Sequence, residues 1–333
     1  VSTEGDFICC AECAEALGLA ASAMARDEWE AADAVQAALA AFGIAQYTTA
    51  KALPAPTLRP RADVWTITTG ARKLRLQRHA DADAARFEGA CRQHLSAAQL
   101  PVAPLMPAAS GDTFWADARE ACWTLAPVPR GAPFANEPAL WNMAGSIGVI
   151  LAQMHGALQP LVAGDAPPPR RSCWTLEHLQ ERVAHWPALS ELTHDLRDRA
   201  IERLETTRTL ETLPKLPQTI LHGNFGRAAI FWGALGPVGI CAFDRAQCGA
   251  AVCDFALGLV NQHRPILRAA VVAYERERPL GEDERQALPE VLLWGTLMRV
   301  DRQLTVWHDK RRANEYAGAI THLLEKAEGL RKL

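Results

Sequence analysis

Residues 127–135, rich in Pro and Gly, divide the 333-residue chain into two stretches with different hydrophobic periods. Ahead of them, Val64-Trp-Thr-Ile-Thr-Thr69 is β-branched and aromatic, Gly70 turns the chain, and Leu74-Arg-Leu76 alternates, which predicts a hairpin. Residues 83–98 carry Phe87, Cys91, His94, Leu95 and Ala98 on one helical face. Phe114-Trp-Ala116 and Cys122-Trp-Thr-Leu-Ala126 then read as a second strand pair. Strands, helix, then strands define a small α+β unit. Behind the break the period becomes helical, with Met143, Ile147, Ile150, Leu151 and Met154 on one stripe of residues 141–155.

This divides the chain into an N-terminal helical segment over 1–43, a sheet lobe over 44–127, a linker over 128–135 and a helical lobe over 136–333. The N-terminal segment predicts two helices, 11–25 and 27–42, the second capped by Asp27 and stopped by Gly43. Residues 160–171, with three consecutive prolines, predict an exposed loop. Residues 176–211 and everything after Cys253 predict helix, and short strands are expected at 219–221, 229–231 and 238–242.

A net charge of −3 supplies no basic field for nucleic acid or anionic lipid. No apolar run approaches the roughly 20 residues of a membrane span. Nine cysteines, an odd number scattered along the chain, do not form a disulfide framework, so a reducing cytoplasm is expected. Cys9, Cys10 and Cys13 form a tight group, but no second pair completes a zinc site, which favours reduced thiols over metal or redox work.

The most distinctive motif lies in the second half. His222-Gly223-Asn224 opens a stretch that continues to Ala229-Ile-Phe-Trp232, followed by Ala242-Phe-Asp-Arg-Ala246 and Asp254. These segments resemble the catalytic and metal-binding segments of the aminoglycoside phosphotransferase/choline kinase-like family, and most nearly its branch of type II homoserine kinases and spore-coat kinase-like proteins. Residues 273–284 are similar to a helix-turn-helix step of that branch. The resemblance runs from about residue 35 to 309. It implies an α+β, bilobal protein-kinase-like fold, with a small antiparallel-sheet N-lobe and a large, mainly helical C-lobe that carries a catalytic-loop-like hairpin over 219–246.

In that family the first motif usually reads His-Gly-Asp with an Asn five residues after the Asp, and the second reads hydrophobic-Asp-Phe or hydrophobic-Asp-Trp. Here those three positions are Asn224, Ala229 and Ala242. An amide cannot take the acceptor's proton, and a methyl offers no oxygen to magnesium. Asp244 is the one nearby acid for a rearranged metal site, although active relatives often carry an acid there too. By the same resemblance, Arg75 would contact the α/β-phosphates with Glu88 fixing its direction, and Ala126 and Val128 would border the adenine at the hinge. Each has a plainer reading as strand, surface or linker. The loop over the phosphates would fall at residues 58–63, which lack glycine and contain Pro60, so Arg59 and Arg61 would have to bind an anion through side chains. His222 and Asp254 are implied to brace the loops, and Arg245 reads as a salt-bridge or loop anchor.

Three functions follow. A catalytically deficient kinase-like protein would act by binding a small molecule or protein partner, with no certain cofactor. An active ATP- and magnesium-dependent kinase would phosphorylate the hydroxyl of an amino alcohol, amino acid or sugar-like compound through a rearranged site. A structural or assembly protein would retain only the fold.

Overall fold

The computed structural model describes residues 32–52, 64–70, 72–79, 81–133, 137–163, 180–181, 183–184, 197–198, 200–202, 212–223, 225, 229–234, 236–259 and 264–306. The expected helix at 11–25, the Asp27 cap, Cys9, Cys10, Cys13, the 58–63 loop, Asn224, most of 176–211 and the chain beyond 306 lie outside the described residues.

An all-antiparallel sheet forms the first half, in the order β1-β2-β3-β5-β4, from β1 (Thr49–Ala52), β2 (Val64–Thr69), β3 (Arg72–His79), β4 (Trp115–Ala116) and β5 (Cys122–Pro127). The register follows from alternation in β3. Leu74 and Leu76 enter an apolar cluster with Trp65, Ile67, Trp123 and Leu125, which helix α1 (32–41) covers with Val35, Ala38 and Leu39. Arg75, Gln77 and His79 therefore belong to the opposite face.

Helix α2 (Ala82–Ala97) starts where Asp81 accepts the backbone N–H of Ala84 at 2.8 Å. Its apolar stripe, Phe87, Cys91 and Leu95, joins the larger apolar cluster of the second half rather than the cluster under the sheet. The hydrophobic packing thus crosses the linker, because α2 lies between the sheet and the helices.

That larger cluster includes the buried faces of α3 (Glu137–Leu158), α5 (Arg264–Glu277) and α6 (Glu282–Val306). Gly148 lets α3 meet α5 backbone to backbone, since a Cβ there would strike the carbonyl of Ala270. Two segments differ from the sequence reading. Residues 160–163, expected as loop, form the short helix α4 (Pro160–Ala163), with Leu161 anchored in the core. Within the expected linker, β6 (Ala132–Pro133) pairs with β8 (Ile230–Gly233), which pairs in turn with β9 (Gly236–Ile240). Gly131, at φ 120, permits this approach: a Cβ there would lie 2.5 Å from the carbonyl oxygen of Trp232. A two-stranded ladder of β7 (Gln218–Leu221) and β10 (Gln247–Ala250) closes the same region. Among the described residues no helix is long and apolar enough to cross a membrane.

Candidate functional site

β7 delivers the chain to His222 and Gly223, and β9 delivers it to Ala242. Asp254 ties the first of these loops down. Its Oδ2 accepts the His222 N–H at 2.7 Å and its Oδ1 accepts the Gly223 N–H at 2.9 Å. His155 of α3 contacts the same carboxylate, Nε2 to Oδ2, at 3.0 Å. All of these groups are buried, so each must find its partner inside the protein.

His222 connects the two loops. Its Nε2 lies 2.9 Å from the carbonyl oxygen of Cys241, and its ring packs against Phe243 with centroids 4.7 Å apart. Gly223, at φ 74, sits so close to the carbonyl of Arg245 that no side chain fits between them. Arg245 closes the 3-10 turn Phe243–Arg245, which also contains Asp244. Asn224 lies outside the described residues.

The residues at the expected metal-binding places carry no side-chain donor atom. Ala229 is buried and its carbonyl accepts the Cys241 N–H at 2.9 Å. Ala242 is 5% exposed and adopts a left-handed conformation, φ 70 and ψ 48. That conformation is disfavoured for alanine by about 1–2 kcal/mol and is more accessible to Asp and Asn, whose short polar side chains bond locally. The backbone therefore keeps a corner suited to Asp while presenting a methyl group. Among the described residues no group of three or more His, Cys, Asp or Glu side chains could hold a metal ion. The pair Ala229 and Ala242 does not fit the magnesium that the family resemblance implies.

On the sheet side, Arg75 stands opposite Ala126 in the β3–β5 ladder, and the Val128 N–H donates to the Lys73 carbonyl at 2.9 Å. Arg75 Nε donates to Gln77 Oε1 at 3.4 Å. Glu88, expected to fix the direction of Arg75, is contacted by Arg92 and His79. Glu88 Oε1 accepts from Arg92 Nε at 2.7 Å and forms an ion pair with Nη2 at 2.7 Å, while Oε2 lies 2.9 Å from His79 Nε2 and 3.4 Å from Thr124 Oγ1. Arg92 sits one helical turn after Glu88, and His79 ends the strand directly before α2, so both reach the carboxylate at short range.

Burial alone would raise the Glu88 carboxyl pKa. The Arg92 guanidinium and His79 overcome that and hold it far below the usual carboxylate range. Arg92 also donates to the Ala103 carbonyl at 2.9 Å and lies over the Phe243 ring, 5.3 Å from its centroid. It thereby joins α2 to the loop that holds Ala242. His79, Arg92, His155 and Tyr274 were not singled out by sequence reasoning. The Glu88 to Arg92 spacing was a usable signal for one of them, whereas His155 and Asp254 are separated by 99 residues and left none.

Over residues 61–289 the sequence matches the phosphotransferase enzyme family, and the chain belongs to that family. No curated protein matches the sequence. Solved structures with the same fold include a microcompartment-associated aminopropanol kinase, 17% identical over 85% of this chain and 90% of that one, with a TM-score of 0.62. The GDP complex of wild-type aminoglycoside 2'-phosphotransferase-IIIa is 12% identical over 87% of this chain and 96% of that one, with a TM-score of 0.61. Amicoumacin kinase hAmiN, in complex with AMP-PNP, Ca2+ and Ami, is 12% identical over 84% and 90%, also with a TM-score of 0.61. At these identities the likeness defines a kinase-like fold and no more.

Proposed function

We propose that this member of the phosphotransferase family is a pseudokinase that acts by binding a small molecule or a protein partner. The observation that carries this reading is the left-handed corner at Ala242, buried and ending in a methyl group where the family resemblance places a metal-binding Asp. Ala229, also buried, removes the second expected ligand. Phosphoryl transfer depends on cations that neutralise charge building on the β/γ-oxygens, and neither residue can hold one. Asn224, as an amide, also lacks the proton-accepting chemistry of the usual Asp.

We further place the chain nearest the type II homoserine kinase and spore-coat kinase-like branch. Residues 273–284 span the turn from α5 to α6, which supports that placement. A cytoplasmic location fits the odd number of cysteines. The test is transfer of labelled γ-phosphate from magnesium ATP to amino alcohols, amino acids and aminoglycosides. No transfer above background is expected. Transfer that Asp244→Ala abolishes would replace this reading with an active small-molecule kinase working through a rearranged centre.

A further inference from the structure

A line of buried polar groups leaves the site through the helical half and ends near the surface. From Asp254 Oδ2 it runs 3.0 Å to His155 Nε2, and from His155 Nδ1 2.8 Å to the Tyr274 hydroxyl. Arg278 Nη1 donates to that hydroxyl at 3.0 Å and also contacts Glu284 Oε1 at 3.3 Å. Glu284 Oε2 accepts the Gly281 N–H at 2.9 Å in the turn between α5 and α6. His155, Asp254 and Tyr274 are fully buried, while the Arg278 side chain is 24% exposed.

The chemistry of the two ends fixes the direction of every bond between them. An arginine can only donate, and an ionised aspartate can only accept. With Arg278 donating to the Tyr274 oxygen, the one hydroxyl proton of Tyr274 is left to donate to His155 Nδ1. That nitrogen must then be an acceptor, so the ring proton sits on Nε2 and points at Asp254. Any other arrangement leaves a buried donor facing a donor, or a buried hydroxyl with no acceptor. Burial also pushes the Tyr274 hydroxyl well above the usual phenol range against the pull of Arg278, which keeps its proton in place for donation.

We propose that Tyr274 and Arg278 are positioning residues that hold the single ring proton of His155 on Nε2. They thereby preset, from the α5–α6 turn, the Asp254 carboxylate that clamps the His222 and Gly223 backbone. The inference concerns how the loop is held and does not depend on whether the protein transfers phosphate.

The test combines two measurements on the full chain at pH 7. Nitrogen NMR of the 15N-histidine-labelled protein, with the His155 signals assigned through His155→Gln, should show His155 protonated on Nε2 alone. Arg278→Met should speed amide hydrogen exchange at His222 and Gly223 by roughly two- to tenfold, the effect of weakening one hydrogen bond. Exchange in β2 and β3 should stay unchanged, and Arg278→Lys, which keeps a donor, should restore much of the protection. A ring proton on Nδ1, or on both nitrogens, would overturn the proposal. So would unchanged exchange at His222 and Gly223, or exchange that rises equally in β2 and β3, which would mean general loosening.

Discussion

Replacing Glu88 with Gln tests the linkage between the sheet and α2. The carboxylate is 1% exposed and receives Arg92 through two nitrogens on one oxygen, with His79 and Thr124 on the other. Gln keeps one oxygen and turns an NH2 group toward Arg92 or toward His79. It also leaves the buried guanidinium without its counter-charge. Breaking a buried pair from one side costs about 3–5 kcal/mol. For a chain of this size each kcal/mol shifts Tm by about 2 °C, so Glu88→Gln should melt roughly 6–10 °C lower at neutral pH.

The same carboxylate makes the loss pH-dependent. Its folded pKa is depressed from the ordinary value of 4.5, so its stabilising contribution is complete above that pH and is lost as the pH falls below it. Urea unfolding from pH 7 to pH 3 should therefore show wild type and variant converging below pH 4.5, by about 1.4 kcal/mol per pH unit. A loss under about 1 kcal/mol at pH 7 would refute the reasoning, because breaking a buried pair costs several times that. Curves that stay parallel down to pH 3 would refute it equally.

Two further outcomes follow from the same packing. In double-mutant cycles, Glu88→Gln with Arg92→Met should be coupled by more than about 1 kcal/mol, whereas Glu88→Gln with Arg75→Met should add to within about 0.5 kcal/mol. Coupling in the second cycle would restore Arg75 as the partner of Glu88. Gly148→Ala should cost about 2–3 kcal/mol in urea unfolding, because its Cβ has no room against the Ala270 carbonyl and α3 must move away from α5. A neutral result there would mean the two helices are not in backbone contact.

Much of the architecture was legible in the pattern of residues. β2, β3 and β5 are rich in β-branched, aromatic and alternating apolar side chains, and α2 shows a clean stripe through Phe87, Cys91 and Leu95. β6 and β10 were not legible, because Ala-Pro and Gln-Cys-Gly-Ala have no strand character of their own and exist as strands through pairing with β8 and β7. The stripe on α2 did not reveal which apolar cluster it would join, since periodicity reports a face and not its partner. In the site, the residues at the expected metal-binding places could be read as alanine directly. The left-handed backbone at Ala242 could not, because nothing in an alanine signals a positive φ. The i,i+4 spacing to Arg92 did not by itself decide the partner of Glu88 either. Arg75 on the strand and Arg92 one turn along the helix were both compatible with it, and only folding placed Arg92 and His79 at its oxygens.

The most direct measurement is calorimetric titration of the protein with ATP, once in excess Mg2+ and once in EDTA. With methyl groups at positions 229 and 242, the metal gains no protein ligand there, and the two affinities should agree to within about twofold, less than 0.5 kcal/mol. A tenfold or greater tightening that requires Mg2+, about 1.4 kcal/mol, would show that the protein grips the cation with other side chains and would contradict the account.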